Sequence, residues 1–219
     1  MTDKMYQVSK VTDENGRALY QIQVKGEMEN NVLIQKVLLT QKYNEAKKLV
    51  SEEVDSSIQR PMKAVVKTAL TFSDAGQVES VMNSFNSQEE ETRNIKRLLK
   101  FSEKGEPKSQ NFMMIMGDTE IKIHEAWNEE QSVSRKVQLH IEGEEIETFA
   151  VVVDKNKKVL SKEINGENIE EFLHDIGEPY SSAGLMKEFP VSMKEVLLLN
   201  KDIKESLRDS LEKALKEAF

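Results

Sequence analysis

The sequence predicts an α+β fold, because segments with strand periodicity and segments with helix periodicity both occur along the chain. Apolar and polar residues alternate on either side of an Asn15-Gly16 turn, which is typical of a β-hairpin. Near the chain's end, Ile203 and Leu207 belong to an amphipathic helix predicted over 201–218. We therefore expect antiparallel sheets, built from an N-terminal hairpin plus strands with helices and then a five-stranded meander, with C-terminal helices packed on the sheet.

The N-terminal hairpin has one register that places its apolar side chains on the same face. A strict two-residue turn would put the two apolar sets on opposite faces. A type I turn followed by Gly16 in a left-handed conformation shifts the pairing by one residue. The predicted turn is this second one, which sets Val8 against Ile22 and Tyr6 against Val24.

The rest of the first half is predicted to mix strands with helices. Residues 32–39 and 62–72 are rich in β-branched and apolar residues and predict two strands. Between them, Val50, Val54 and Ile58 recur every four residues, which favours a helix.

Two further helices are predicted before the middle of the chain. Ser73 is expected to cap a short helix that includes Phe85. Ser87 and Glu90 form a capping-box pattern, which predicts a second helix that runs to about Phe101.

A polar stretch broken by Gly105 and Pro107 predicts a boundary between two parts of the chain. We expect an N-terminal α+β subdomain over 1–104, a linker over 105–109 and a second subdomain over 110–219. We find no convincing internal repeat, although the hairpin-to-helix order of the first half is loosely echoed in the second.

The second subdomain begins with the five-stranded meander. A two-residue turn after Met116 pairs Phe112 with Ile123 and Met114 with Ile121, so the apolar faces of the two strands agree. The alternating segments that predict the strands are 111–116, 119–127, 133–142, 145–154 and 159–164.

Composition indicates a soluble protein of a reducing compartment. The chain is 38% hydrophobic and 32% charged, and it contains no cysteine. The longest unbroken apolar runs are Phe112–Met116 and Phe149–Val153, so neither a membrane span nor a secretion signal is predicted. We expect a cytoplasmic protein, and the composition, rich in Lys, Glu and Asn, is typical of a bacterium or a phage.

The formal charge of −8 is unevenly distributed. Residues 1–110 carry 17 Lys and Arg against 16 Asp and Glu, whereas residues 111–219 carry 14 against 23. An acidic half disfavours direct nucleic-acid binding, which depends on clustered basic side chains.

The candidate catalytic residues are His174, Asp175 and His124. The His174-Asp175 dipeptide is typical of metal-dependent phosphohydrolases, although those sites are assembled from helices and need further ligands. His124 begins a sequence like the helical zinc signature, but Asn128 stands where that signature needs its second histidine. We predict no metal site and no cofactor from these patterns.

Register separates the two histidines of the meander. When the apolar faces of their strands are matched, His124 lies opposite Lys136 and His140 lies opposite Glu120. The two imidazoles are then expected roughly 13 Å apart, too far to share a metal ion.

Two features are candidate contact surfaces. Trp127, at the end of a predicted strand, could anchor a partner or could cover the core. The irregular segment 177–190 could bind a partner or could be held to the core by its own large side chains, which are Tyr180, Leu185, Met186 and Phe189.

The leading hypothesis is a non-enzymatic binding protein that acts through protein–protein contact or self-association. Its contact surface is expected at the last helix or at segment 177–190. The first alternative is an acidic inhibitor of a nucleic-acid-binding or other basic partner. The second is a metal-dependent hydrolase that uses histidine and carboxylate side chains.

Overall fold

The chain folds into one antiparallel meander sheet. The computed structural model describes residues 5–29, 34–60, 63–87, 93–130, 132–156, 158–165, 167–168 and 203–219. Within these residues, thirteen strands pair in the order of the sequence. The described helical residues are a turn at 203–206 and helix α1, Arg208–Ala218. The expected α+β class is therefore wrong for the described chain.

The strands vary in length from two to twelve residues. In order, they are β1 Tyr6–Thr12, β2 Ala18–Glu29, β3 Ile34–Tyr43, β4 Leu49–Arg60, β5 Ala64–Phe72, β6 Val78–Ser87, β7 Arg93–Phe101, β8 Pro107–Met116, β9 Thr119–Trp127, β10 Val133–Ile141, β11 Glu144–Val153, β12 Val159–Ile164 and β13 Glu167–Asn168.

The three helices predicted in the first half are strands β4, β6 and β7. A four-residue spacing places side chains on one face of a helix. It also places them on one face of a strand, because successive strand residues alternate between the two faces and four is an even number. Val54 and Ile58 show this directly, because both are buried on the same face of β4. In β7 the same spacing relates Ile95 to Leu99, and Ile95, which is β-branched, favours the strand.

The predicted strand registers are confirmed. Val8 pairs with Ile22 and Tyr6 pairs with Val24, and Gly16 has a φ of 79° as the left-handed turn requires.

The predicted meander is confirmed as well. Its five strands are β8 to β12, within four residues of the predicted ends. Phe112 pairs with Ile123 and Met114 with Ile121.

The expected linker lies between two paired strands. Residues 102–106 form the hairpin loop between β7 and β8, and these strands pair from Arg93 with Met116 to Phe101 with Pro107. The division into two subdomains remains a prediction.

Six described hairpin loops at one end of the sheet share a single design. The first residue of each loop donates its backbone N–H to the carbonyl of the fifth, and its side-chain oxygen accepts the N–H of the fifth. These first residues recur every 26 to 31 positions, at Asp13, Asn44, Ser73, Ser102, Asn128 and Asp154. The recurrence is hidden in the sequence because Asp, Asn and Ser all accept in this way.

The buried side chains of the described residues form two clusters. One is covered by the C-terminal helical residues and includes Ile22, Val24 and Leu39, each 0% exposed. The other runs across β4 to β10 and is centred on Phe112 and Met114, each 2% exposed.

The C-terminal helix is docked on β1 to β4. Ile203, Leu207 and Ala214 are buried against the first cluster. Gly26 allows this approach, because a Cβ atom there would overlap a methyl group of Leu207. No helix in the described ranges is long and apolar enough to cross a membrane.

A buried hydrogen-bonded chain joins the sheet to residues before α1. Glu52 is 5% exposed and forms an ion pair with Lys204. Its other oxygen accepts from Gln41 Nε2 at 2.7 Å, and the Gln41 carbonyl accepts from the Tyr43 hydroxyl at 2.7 Å. Burial, and then the charge of Glu52, raise the pKa of Tyr43 to about 12.

The raised pKa of Tyr43 predicts a transition at strongly alkaline pH. Because the pKa of Tyr43 is higher in the folded state than its ordinary 10, the phenol contributes stability below pH 10 that is lost as pH rises through about 12. We expect a tyrosinate absorbance step near pH 12 that is missing in Tyr43→Phe. The same absorbance step near pH 12 in the wild type and in Tyr43→Phe would contradict the assignment of this pKa to Tyr43.

Candidate functional site

Most of the predicted site residues lie outside the described part of the chain. These are His174, Asp175, Tyr180, Leu185, Met186 and Phe189, together with segment 177–190. Their roles remain predictions, and His124, His140 and Trp127 are the candidates that the structure places.

The two placed histidines lie on the outer, mainly polar face of the sheet, in the predicted register. His124 pairs with Lys136, and its Nδ1 lies 2.6 Å from Asn111 Oδ1. His140 pairs with Glu120, four strand positions away. Within the described ranges, no group of three or more His, Asp or Glu side chains could hold a metal ion.

Trp127 ends β9, beside the loop that begins at Asn128, as predicted. Its side chain is half-buried and lies on the same face as Ile123 and Glu125. Its role as an anchor for a partner remains a prediction.

The apolar side of the last helix packs against the sheet of the same chain. Ile203 and Ala214 are 0% exposed, and Leu207 is 5% exposed. A partner that meets this helix therefore faces its polar side and the terminal Phe219, whose ring stands edge-on to Tyr20 at 5.1 Å.

Two β-bulges near the far edge of the sheet present large apolar side chains to solvent. In β12, Val152 pairs with Ser161 and Val153 with Val159, so Leu160 is the extra residue. In β11, Ile146 is the extra residue of a second bulge. Leu160 is 57% exposed and Ile146 is 53% exposed.

The Leu160 bulge has structural equivalents within the same sheet. Three other hairpin loops are followed by a bulge at the same position, where the extra residues are Val50, Glu79 and Lys108. Val50 is half-buried, whereas Glu79 and Lys108 are exposed and charged. Leu160 is therefore an exposed apolar residue at a position that carries an exposed charge in two of its three equivalents. Alignment of the loops on their first residues is the sequence signal that would have found it.

Charge is segregated between the two bulges. On β11 and in the turn before it, the charged side chains around Ile146 are acidic, namely Glu142, Glu144, Glu145 and Glu147, while Lys136 of β10 lies near Glu145. Around Leu160 the basic side chains are Lys155, Lys158 and Lys162. From the strand rise and the register, Ile146 and Leu160 are roughly 20 Å apart.

A polar row crosses the buried face of the sheet. Arg97 Nε donates to Gln110 Oε1 at 2.5 Å, Gln110 Nε2 donates to Glu125 Oε2 at 2.6 Å, and Arg135 Nε donates to Glu125 Oε1 at 2.7 Å. Gln110 and Glu125 are 2% and 3% exposed. Burial lowers the pKa of Arg97, and the charge of Glu125 opposes that shift. Buried charges need partners of this kind, since an unpaired one is costly.

The row continues on the next two strands. Thr68 Oγ1 donates to Asn83 Oδ1 at 3.2 Å, and Asn83 is in turn the register partner of Arg97. Asn83 is 5% exposed, yet its Nδ2 has no hydrogen-bond partner among the described residues. An unsatisfied buried donor costs about 1–3 kcal/mol.

The comparisons with known proteins identify no protein similar to this chain. The chain matches no protein family, no curated protein and no solved structure.

Proposed function

We propose that the chain is a non-enzymatic binding protein that acts through protein–protein contact, in the form of self-association. The observation that supports this is the exposed Leu160 at a bulge position that holds charged residues in two equivalent hairpins. A bulge aims its side chain away from the regular pleat, and Leu160 adjoins Val159, which is 38% exposed. Adjacent exposed apolar side chains are typical of contact sites.

The segregated charge favours a second copy of the chain as the partner. In a two-fold arrangement, the basic end around Leu160 faces the acidic end around Ile146 of the other copy, and the same contact forms twice. The lysines around Leu160 of one copy then face the glutamates around Ile146 of the other copy, so the charges across the contact are complementary. A span of roughly 20 Å between the bulges fits within an interface of standard size.

The test is the mass of the protein in solution, measured by sedimentation velocity. We expect the wild-type chain to associate in the micromolar range, with twice the 25.1 kDa mass of one chain. Leu160→Lys should give a monomer. This variant should fold normally, since Lys108 occupies the equivalent bulge.

The matched control is Met116→Lys, which alters an apolar residue of 39% exposure at the end of β8. This variant should remain associated. Salt at about 1 M should weaken the wild-type association, because it screens charge beyond about 3 Å. A wild-type chain that is monomeric at about 100 µM would rule out the proposal.

A further inference from the structure

A cleft opens on the outer face of the sheet, between the hairpin loop at 73–77 and the hairpin loop at 102–106. Its volume is about 940 Å³, which is within the range of small-ligand sites. The residues that line it come from strands β5 to β8 and from the two loops. The cleft is therefore formed by two neighbouring hairpins, β5–β6 and β7–β8.

Hydroxyl groups form much of the floor of this cleft. Thr71 pairs with Ser80 across β5 and β6, and their hydroxyl oxygens lie 2.7 Å apart. The same register row continues through Lys100 on β7 to Ser109 on β8. Hydroxyl groups both donate and accept hydrogen bonds, so this floor can bind the N–H and C=O groups of a polar ligand.

The two sides of the cleft carry opposite charges. Glu79 is the extra residue of the bulge in β6, and Lys108 is the extra residue of the bulge in β8. Lys100 lies on β7, between these two strands. All three side chains are exposed, and they form no ion pair and no hydrogen bond with another described residue. A carboxylate on one side and ammonium groups on the other are thus both open to a ligand.

Two further carboxylates, Asp74 and Glu103, line the rim of the cleft. Each is the second residue of its hairpin loop. Lys48 lies beside Asp74, and its Nζ donates to the Asp74 carbonyl at 2.8 Å. Glu79 is the acidic residue next to the hydroxyl floor, because it directly precedes Ser80 in the chain.

The separation of the two bulges limits the length of the ligand. One strand lies between β6 and β8, so the backbones at Glu79 and Lys108 are roughly 10 Å apart. An ion pair at each end takes up about 3 Å, which leaves roughly 4–5 Å between the two charges of the ligand. The two Cα atoms of a dipeptide are about 3.8 Å apart, with its charged ends just beyond them. A dipeptide therefore matches this separation, whereas a single amino acid is shorter.

We propose that the cleft binds a zwitterionic dipeptide, with the ligand's ammonium group at Glu79 and its carboxylate at Lys108 and Lys100. The peptide N–H and C=O of the ligand bond to hydroxyls of the floor, and its side chains occupy the remaining volume. This site is independent of the proposed self-association through β11 and β12.

The test uses alanyl-alanine as the probe, with isothermal titration calorimetry of the full chain. We expect saturable binding with a Kd below about 1 mM. Acetylation of the probe removes its ammonium group and amidation removes its carboxylate, and each change should weaken binding roughly fivefold or more. The matched control is Lys96→Gln, which alters an exposed lysine on the same face of β7 outside the cleft and should bind as the wild type does.

Two variants assign each end of the ligand to one side of the cleft. In Glu79→Gln, alanyl-alanine and its acetylated form should bind with equal affinity, because the carboxylate that distinguishes them is gone. Lys108→Gln should reduce the difference between alanyl-alanine and its amide. Both replaced residues are exposed, so the variants should fold as the wild type does. A wild-type Kd above about 1 mM, or equally tight binding of the acetylated and amidated probes, would overturn the proposal.

Discussion

Replacement of Glu125 by alanine should destabilise the protein by about 3–5 kcal/mol, because it leaves buried partners of this carboxylate uncompensated. Glu125 is 3% exposed and accepts from both Gln110 and Arg135. Urea unfolding followed by circular dichroism would measure the loss as a lower midpoint with an unchanged slope.

The control for this experiment is Glu120→Ala. Glu120 lies on the outer face of the same strand, and it pairs with Lys122 at 2.7 Å near solvent. Exposed pairs contribute at most about 1 kcal/mol, so this variant should unfold close to the wild type. Equal losses of unfolding free energy in Glu125→Ala and Glu120→Ala would show that the buried polar row contributes no more stability than an exposed ion pair.

Replacement of Leu207 by aspartate should undock the C-terminal helix. Leu207 is 5% exposed and packs over Gly26, where the sheet has no side chain. Loss of a buried leucine alone costs about 2–5 kcal/mol, and a carboxylate in the same place adds the cost of burying a charge. The free energy of unfolding should therefore fall by about 4 kcal/mol or more.

Undocking of the helix should change local protease sensitivity as well as the free energy of unfolding. The variant should expose Ile22, Val24 and Leu39, and it should be cleaved by protease within the helix faster than the wild type. Arg208→Ala is the control, because Arg208 has a side-chain exposure of 74% and its pairing with Glu212 lies on the surface. A Leu207→Asp chain with wild-type stability and protease resistance would mean that the helix is not held by its apolar side.

Some of the candidate surface was within reach of sequence reasoning. The strands that carry Ile146 and Leu160 were predicted, and the loop before Leu160 follows the same pattern as five others. The bulges themselves were not predicted, since a bulge depends on the partner strand as well as on its own residues. The buried row was missed for a related reason. Arg97, Gln110 and Glu125 have the polarity of surface residues, and only neighbouring strands make them partners.

By itself, the sequence determined the local geometry wherever two apolar strands meet at a short turn. Val8 could pair with Ile22, and Phe112 with Ile123, in only one register that kept the apolar faces together. Only the tertiary structure decided that residues 49–60 form a strand, because a four-residue apolar spacing is compatible with both a helix and a strand. The neighbours β3 and β5 settle that choice, because both pair with β4 continuously from Ser51 to Ile58.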